Sequence, residues 1–134
     1  SSCMVIRRMA IDDVGLMDEN QFMYGDEIDW CKRLLNAGWA IYYNADSSII
    51  HFGGESSKQA SVFIIKEAEK SIWYYYKKHN GGIYASGYCA QLCLISMSKY
   101  IWTLLFRIKR DREKMLMEIY KNNFYLSIQM IIGR

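Results

Sequence analysis

The sequence predicts an α/β fold: short strands and helices first, then a helical tail. Three observations carry this expectation. Strand-length apolar runs at 3–7, 39–43 and 47–51 flank one clear amphipathic helix at 25–38. After about residue 57 the apolar residues fall at helical spacing. The 134 residues include no proline, so nothing forces a long helix to break. The expected division is therefore a mixed unit at 1–57 and a helical tail at 58–134.

The elements follow in order. Cys3 to Arg7 is an apolar run of strand length. Arg8 to Val14 forms a short helix that Gly15 ends. Leu16 to Tyr24 is a mixed apolar and acidic loop. Gly25 to Gly38 reads as a helix with acids at its start and bases after them, which complements the helix dipole. Ile28, Cys31, Leu34 and Leu35 would form its apolar face, and Gly38 its C-terminal cap. Trp39–Tyr43 and Ser47–His51 read as strands joined by a turn at Asn44-Ala45-Asp46. Lys58 to His79 is one long helical stretch, broken at Asn80-Gly81-Gly82. A second runs from about Ile83 to Ile108. A basic segment at 107–114 and a final apolar stretch complete the chain.

Composition narrows the function classes. Hydrophobic residues make up 51% of the chain, which excludes disorder. The net charge of +3 is too small to argue for nucleic acid. Eleven tyrosines and four tryptophans suit boundaries between water and something apolar. Cys3, Cys31, Cys89 and Cys93 form no zinc-type spacing and read as free thiols of a reducing compartment. The opening Ser-Ser-Cys-Met-Val-Ile reads like the middle of a strand, so the expectation is a piece of a longer protein.

Asp26, Glu27 and Asp29 place three carboxylates within four residues. Hard cations want oxygen ligands and proton abstraction wants a carboxylate, so such a cluster suits either chemistry. It equally suits a helix N-terminus, where acids meet the dipole. Asp29 also stands three and four residues before Lys32 and Arg33, so it can pair with either. His51 leaves a strand onto Gly53-Gly54, open enough to meet a ligand, and imidazole commonly binds metals. His79 reads as a cation at a helix C-terminus.

Read in order, these strings resemble family 2 glycosyltransferases, nearest the bacterial rhamnosyltransferase-like branch. They are Cys3-Met4-Val5-Ile6-Arg7-Arg8, Val14-Gly15-Leu16-Met17-Asp18-Glu19, Phe22-Met23-Tyr24-Gly25-Asp26-Glu27-Ile28-Asp29-Trp30-Cys31-Lys32-Arg33, Ala37-Gly38-Trp39, Ile41-Tyr42-Tyr43 and Ile50-His51-Phe52-Gly53-Gly54-Glu55-Ser56-Ser57. The resemblance spans about the first 57 residues and continues loosely to His79. It implies the C-terminal part of a GT-A domain and an inverting transfer. A carboxylate at this helix start takes the acceptor hydroxyl's proton, and a divalent metal, Mg or Mn, neutralises the departing diphosphate. The family's order at this point is Glu-Asp; here it is Asp26-Glu27. Glu27 is the base by position and Asp26 by residue type, and position favours Glu27. Phe22, Tyr24 and Asp29 would lie on the acceptor side, and His51 would join the metal site. The family's Asp-x-Asp, which holds metal and nucleotide phosphates, is absent from this sequence. The isolated chain is therefore expected to have no transferase activity.

The resemblance also implies partners: a nucleotide-sugar donor and a glycan or lipid-linked acceptor. Asn80 to Ser98 carries no charge and nears the length of a membrane span, but Lys99 follows and polar residues dilute it. Aromatic and basic residues within 83–114 suit peripheral contact with an anionic inner leaflet, on the cytoplasmic face of the plasma membrane. Uncovered apolar surface on an isolated half invites self-association into a homo-oligomer. Two competing readings remain: a non-catalytic binding or assembly module of the same shape, and a metal-dependent hydrolase built on Asp26, Glu27, Asp29 and His51.

Overall fold

The computed structural model describes residues 3–22, 24–51, 61–105 and 111–132. Among them are five helices and no strand: α1 Arg8–Val14, α2 Asp26–Asn36, α3 Ser61–Asn80, α4 Gly82–Leu105 and α5 Asp111–Ile132. This corrects the expected α/β fold class, since the described protein is all helical. The runs at 3–7, 39–43 and 47–51 are irregular. The physical reason is pairing. A strand exists only when a neighbour satisfies its backbone groups, and none of these runs pairs with another. Their apolar side chains stay in solvent, with Val5 94%, Tyr43 91% and Ile50 85% exposed. The turn between two of them does form, because its chemistry is local: the Asp46 amide donates to Asn44 Oδ1 at 3.1 Å. The boundary at 57/58 and the expected helix start at Lys58 lie outside the described residues.

The helix ends follow their glycines. α1 stops at Gly15, at φ 80, whose amide donates to the Ile11 carbonyl at 2.8 Å. α2 closes with a paired cap. The Trp39 amide donates to the Leu34 carbonyl at 3.0 Å and the Gly38 amide to the Leu35 carbonyl at 3.1 Å, with Gly38 at φ 86. Gly81, at φ 90, is all that separates α3 from α4.

Two packed groups result. α1 and α2 meet over Ala10, Trp30 and Leu34, and the Trp30 indole donates to the Gly15 carbonyl at 2.9 Å. α4 packs against both α3 and α5 over Ile64, Ala85, Cys89, Leu92, Ile119 and Leu126. Small buried residues at 85, 89 and 96 let neighbouring helices approach α4. All four cysteines are free.

The face α2 buries differs from the expected one. Ile28 and Leu35 are more than half exposed, while Asp29, Trp30 and Leu34 are buried. The hydrophobic pattern was outvoted by charge, because the partners of Asp29 fix the rotation of the helix.

Candidate functional site

The acidic start of α2 is held from beneath by Asp29. Its side chain is fully buried. Burial alone would cost a lone carboxylate heavily, so it needs partners. Oδ2 accepts from Arg33 Nε at 2.8 Å, one helical turn on. Oδ1 lies 2.8 Å from Lys78 Nζ and 2.7 Å from His79 Nε2, both at the end of α3. Arg33 also donates from Nη1 to the carbonyl of Val14, at 2.5 Å, and from Nη2 to that of Leu16, at 2.7 Å. One carboxylate thus ties α2 to α3 and, through Arg33, to the end of α1 and the loop after it.

Asp18 extends the network. Its Oδ2 accepts from Lys78 Nζ at 2.6 Å and from the Tyr74 hydroxyl at 3.1 Å. Lys78 holds the Asp18 carboxyl far below its usual range. Burial pushes the Asp29 carboxyl up, but Lys78, Arg33 and His79 outweigh it and hold the group ionised. Burial likewise works against the charge of Lys78, yet Asp18 and Asp29 raise its pKa above the usual value. Burial, then Asp18, raises Tyr74, which stays a donor.

Above this anchor the sequence-predicted residues are placed as follows. Asp26 and Glu27 open α2 and are partly buried. Phe22 is 65% exposed and Tyr24 48% exposed in the preceding loop. Tyr24 sits at φ 62, a left-handed conformation that costs a bulky residue energy. Gly25 lies where a Cβ would come within 3.0 Å of Gln21 Oε1 and of Ser71 Cβ, so glycine lets α2 begin against α3. His51 is exposed in an irregular segment. Among the described residues no three His, Cys, Asp or Glu side chains converge to hold a metal. The described side chains therefore do not by themselves make the metal centre expected around His51.

Of the two sequence readings of Asp29, the geometry gives the ion-pairing one, with Arg33 rather than Lys32. Sequence reasoning missed Lys78 and His79 as its partners. The signal was available: a surplus of acid at 18–29 and a run of base at 77–79. Nothing in spacing alone said that these would meet. It also missed Gln21, 5% exposed, whose amide nitrogen and oxygen are both buried without a partner.

Comparison with known proteins gives a distant likeness. Over 81 residues, 60% of this chain, the sequence is 30% identical to the N-acetylglucosaminyl-diphospho-decaprenol L-rhamnosyltransferase of Mycobacterium tuberculosis, in each of two strains. The chain spans about a quarter, 26%, of the length of these curated relatives. The similarity supports a relationship to glycosyltransferases. No protein-family model and no solved structure matches the chain.

Proposed function

We propose that this chain is the acceptor-side portion of an inverting glycosyltransferase. The complete enzyme would move a sugar from a nucleotide-sugar donor to a polysaccharide or lipid-linked acceptor. The observation that carries the reading is the start of α2, where Asp26 and Glu27 stand together on a helix locked in place by the buried Asp29. The likeness to a rhamnosyltransferase supports the same class of chemistry.

In this mechanism Glu27 is the base and Asp26 steadies it or the acceptor. A glutamate carboxylate is ionised near neutral pH and so able to accept a proton. Glu27 takes the acceptor hydroxyl's proton as that oxygen bonds to the anomeric carbon. The bond from that carbon to the nucleotide diphosphate breaks on the opposite face. Phe22 and Tyr24, exposed beside the acids, offer aromatic faces to the acceptor's sugar ring. A divalent metal, Mg or Mn, belongs to the proposal for the complete enzyme, where it would offset charge on the diphosphate. His51 would be this chain's contribution to the ligands of that metal.

Among the described residues no helix is long and apolar enough to cross a membrane. We place the protein at the cytoplasmic face of the plasma membrane, touching it peripherally through α4. There Ile83, Leu94, Trp102 and Leu105 are exposed.

The test is Glu27→Gln in the complete enzyme. Turnover should fall by about 10²–10⁴-fold, the usual worth of a positioned base, with the protein still folded. Retained turnover would remove Glu27 from the mechanism. Retained acceptor affinity in an enzyme with no measurable turnover even before substitution would favour a binding module. The isolated chain should show no turnover.

A further inference from the structure

Among the described residues, Gln21 alone keeps buried side-chain polar atoms without a hydrogen-bond partner. It is 5% exposed, and both its amide nitrogen and its amide oxygen are unmet. Native chains satisfy nearly all their buried polar groups, so this pair calls for an explanation. Filling space is a poor one, because an apolar residue of the same shape fills it without stranding two polar atoms. Capping α2 is another, and it fails too. The helix start has no side-chain cap, and neither atom of the Gln21 amide donates or accepts there.

The amide nevertheless points at that helix start. Its Oε1 lies 3.0 Å from where a Cβ on Gly25 would sit, and Gly25 is the residue before α2. Asp26 and Glu27 follow directly. Phe22 and Tyr24, on the same loop, are 65% and 48% exposed. A carboxamide offers hydrogens from Nε2 and lone pairs on Oε1, so its natural partner both donates and accepts. Two adjacent hydroxyls of a sugar ring do this at once. The acids beside them repel an anion but accept readily from hydroxyls. The exposed aromatic faces suit the apolar face of the same ring.

We propose that Gln21 is a specificity-determining residue for the acceptor, an assignment that rests on the reading of the α2 start as the acceptor side. On binding, its amide turns away from Gly25, donates from Nε2 to one ring hydroxyl and accepts at Oε1 from the next. Only a side chain moves, which is the common scale of change when a ligand binds. The unmet amide raises the energy of the free chain and is satisfied in the complex. An acceptor that lacks either hydroxyl leaves it unmet, which is how a polar site rejects an analogue.

The test is an NMR titration of the ¹⁵N-labelled chain with glucose, rhamnose and N-acetylglucosamine in turn. N-methylacetamide, a peptide-like probe that also donates and accepts, is the control. At least one sugar should shift the side-chain amide signals of Gln21 and the backbone amide of Gly25 saturably, and the control should not. Gln21→Met should weaken that binding, read at Gly25, by about tenfold or more without lowering the urea midpoint. In the complete enzyme the same variant should raise the KM for acceptor by about tenfold and leave kcat within about twofold, a split that poor folding does not produce. Glu27→Gln reports on the base separately. Retained turnover there removes the base and leaves the Gln21 contact standing, while missing sugar shifts remove the contact and leave the base standing. The proposal is overturned if no sugar shifts the Gln21 signals, if N-methylacetamide shifts them as strongly, or if Gln21→Met binds as the parent does.

Discussion

Asp29 and His79, fifty residues apart in sequence, meet with Oδ1 and Nε2 2.7 Å apart at a point where the carboxylate has no exposure to solvent. This contact, with the adjoining Lys78 and Arg33, sets how α2 lies on α3. It therefore sets where Asp26 and Glu27 stand. Removing the carboxylate leaves Lys78 with Asp18 alone, Arg33 without its acid and His79 without its hydrogen-bond partner. Asp29→Ala should destabilise the chain by about 3–5 kcal/mol, the range for breaking one side of a buried pair. Urea denaturation followed by circular dichroism measures it. A loss within experimental error of zero would mean that the network holds nothing in place.

The same network fixes the pH range of stability. Asp18 and Asp29 titrate lower in the folded chain than the ordinary 3.8. Their stabilisation is complete above that value and is lost as pH falls through their folded values. Lys78 titrates higher than the ordinary 10.5 when folded, so its contribution is complete below 10.5 and lost as pH rises through the folded value. Thermal midpoints should thus lie on a plateau across neutral pH and fall at both ends. In Asp29→Asn the acid-side decline should become shallower. An unchanged acid limb in that variant would assign the decline to other carboxylates.

Gln21 makes the opposite prediction. Both ends of its amide are buried and unpartnered, and each such group costs about 1–3 kcal/mol. Methionine keeps the unbranched shape and removes the polar atoms. Gln21→Met should raise the urea midpoint by an amount worth about 1 kcal/mol, with no change in slope. A lowered midpoint would mean that the amide is satisfied in solution.

Helix boundaries were the most legible part of this fold, because their causes are local. Gly15, Gly38 and Gly81 stand where sequence punctuation placed them, each at positive φ. The turn at Asn44 was legible for the same reason. The strands were not, because a run such as Trp39–Tyr43 becomes a strand only through a partner, and pairing is not local. The buried face of α2 was misread in a related way. Apolar spacing favoured Ile28 and Leu35, while the deciding contacts came from Lys78 and His79 on a helix about 50 residues later. Of the candidate site, the acids at 26 and 27 and their place at a helix start were visible in sequence. The carboxylate that anchors them was read as a partner for Lys32 or Arg33 and as an acceptor-side residue, and not as a tie to α3.

Gly38 offers a clean check on the local part of this account. An added Cβ would meet nothing within 4 Å, so packing is indifferent to it. The backbone is not, since φ 86 is a conformation that a side chain disfavours. Gly38→Ala should therefore cost about 1 kcal/mol through strain alone. The cost should add to that of Asp29→Ala within about 0.5 kcal/mol if the cap and the ion network are independent, and a double variant tests this. A clearly smaller combined loss would mean that the cap and the network report on one shared event, the docking of α2 as a whole. In that case the rotation of α2, and with it the position of Glu27, would depend on both of its ends.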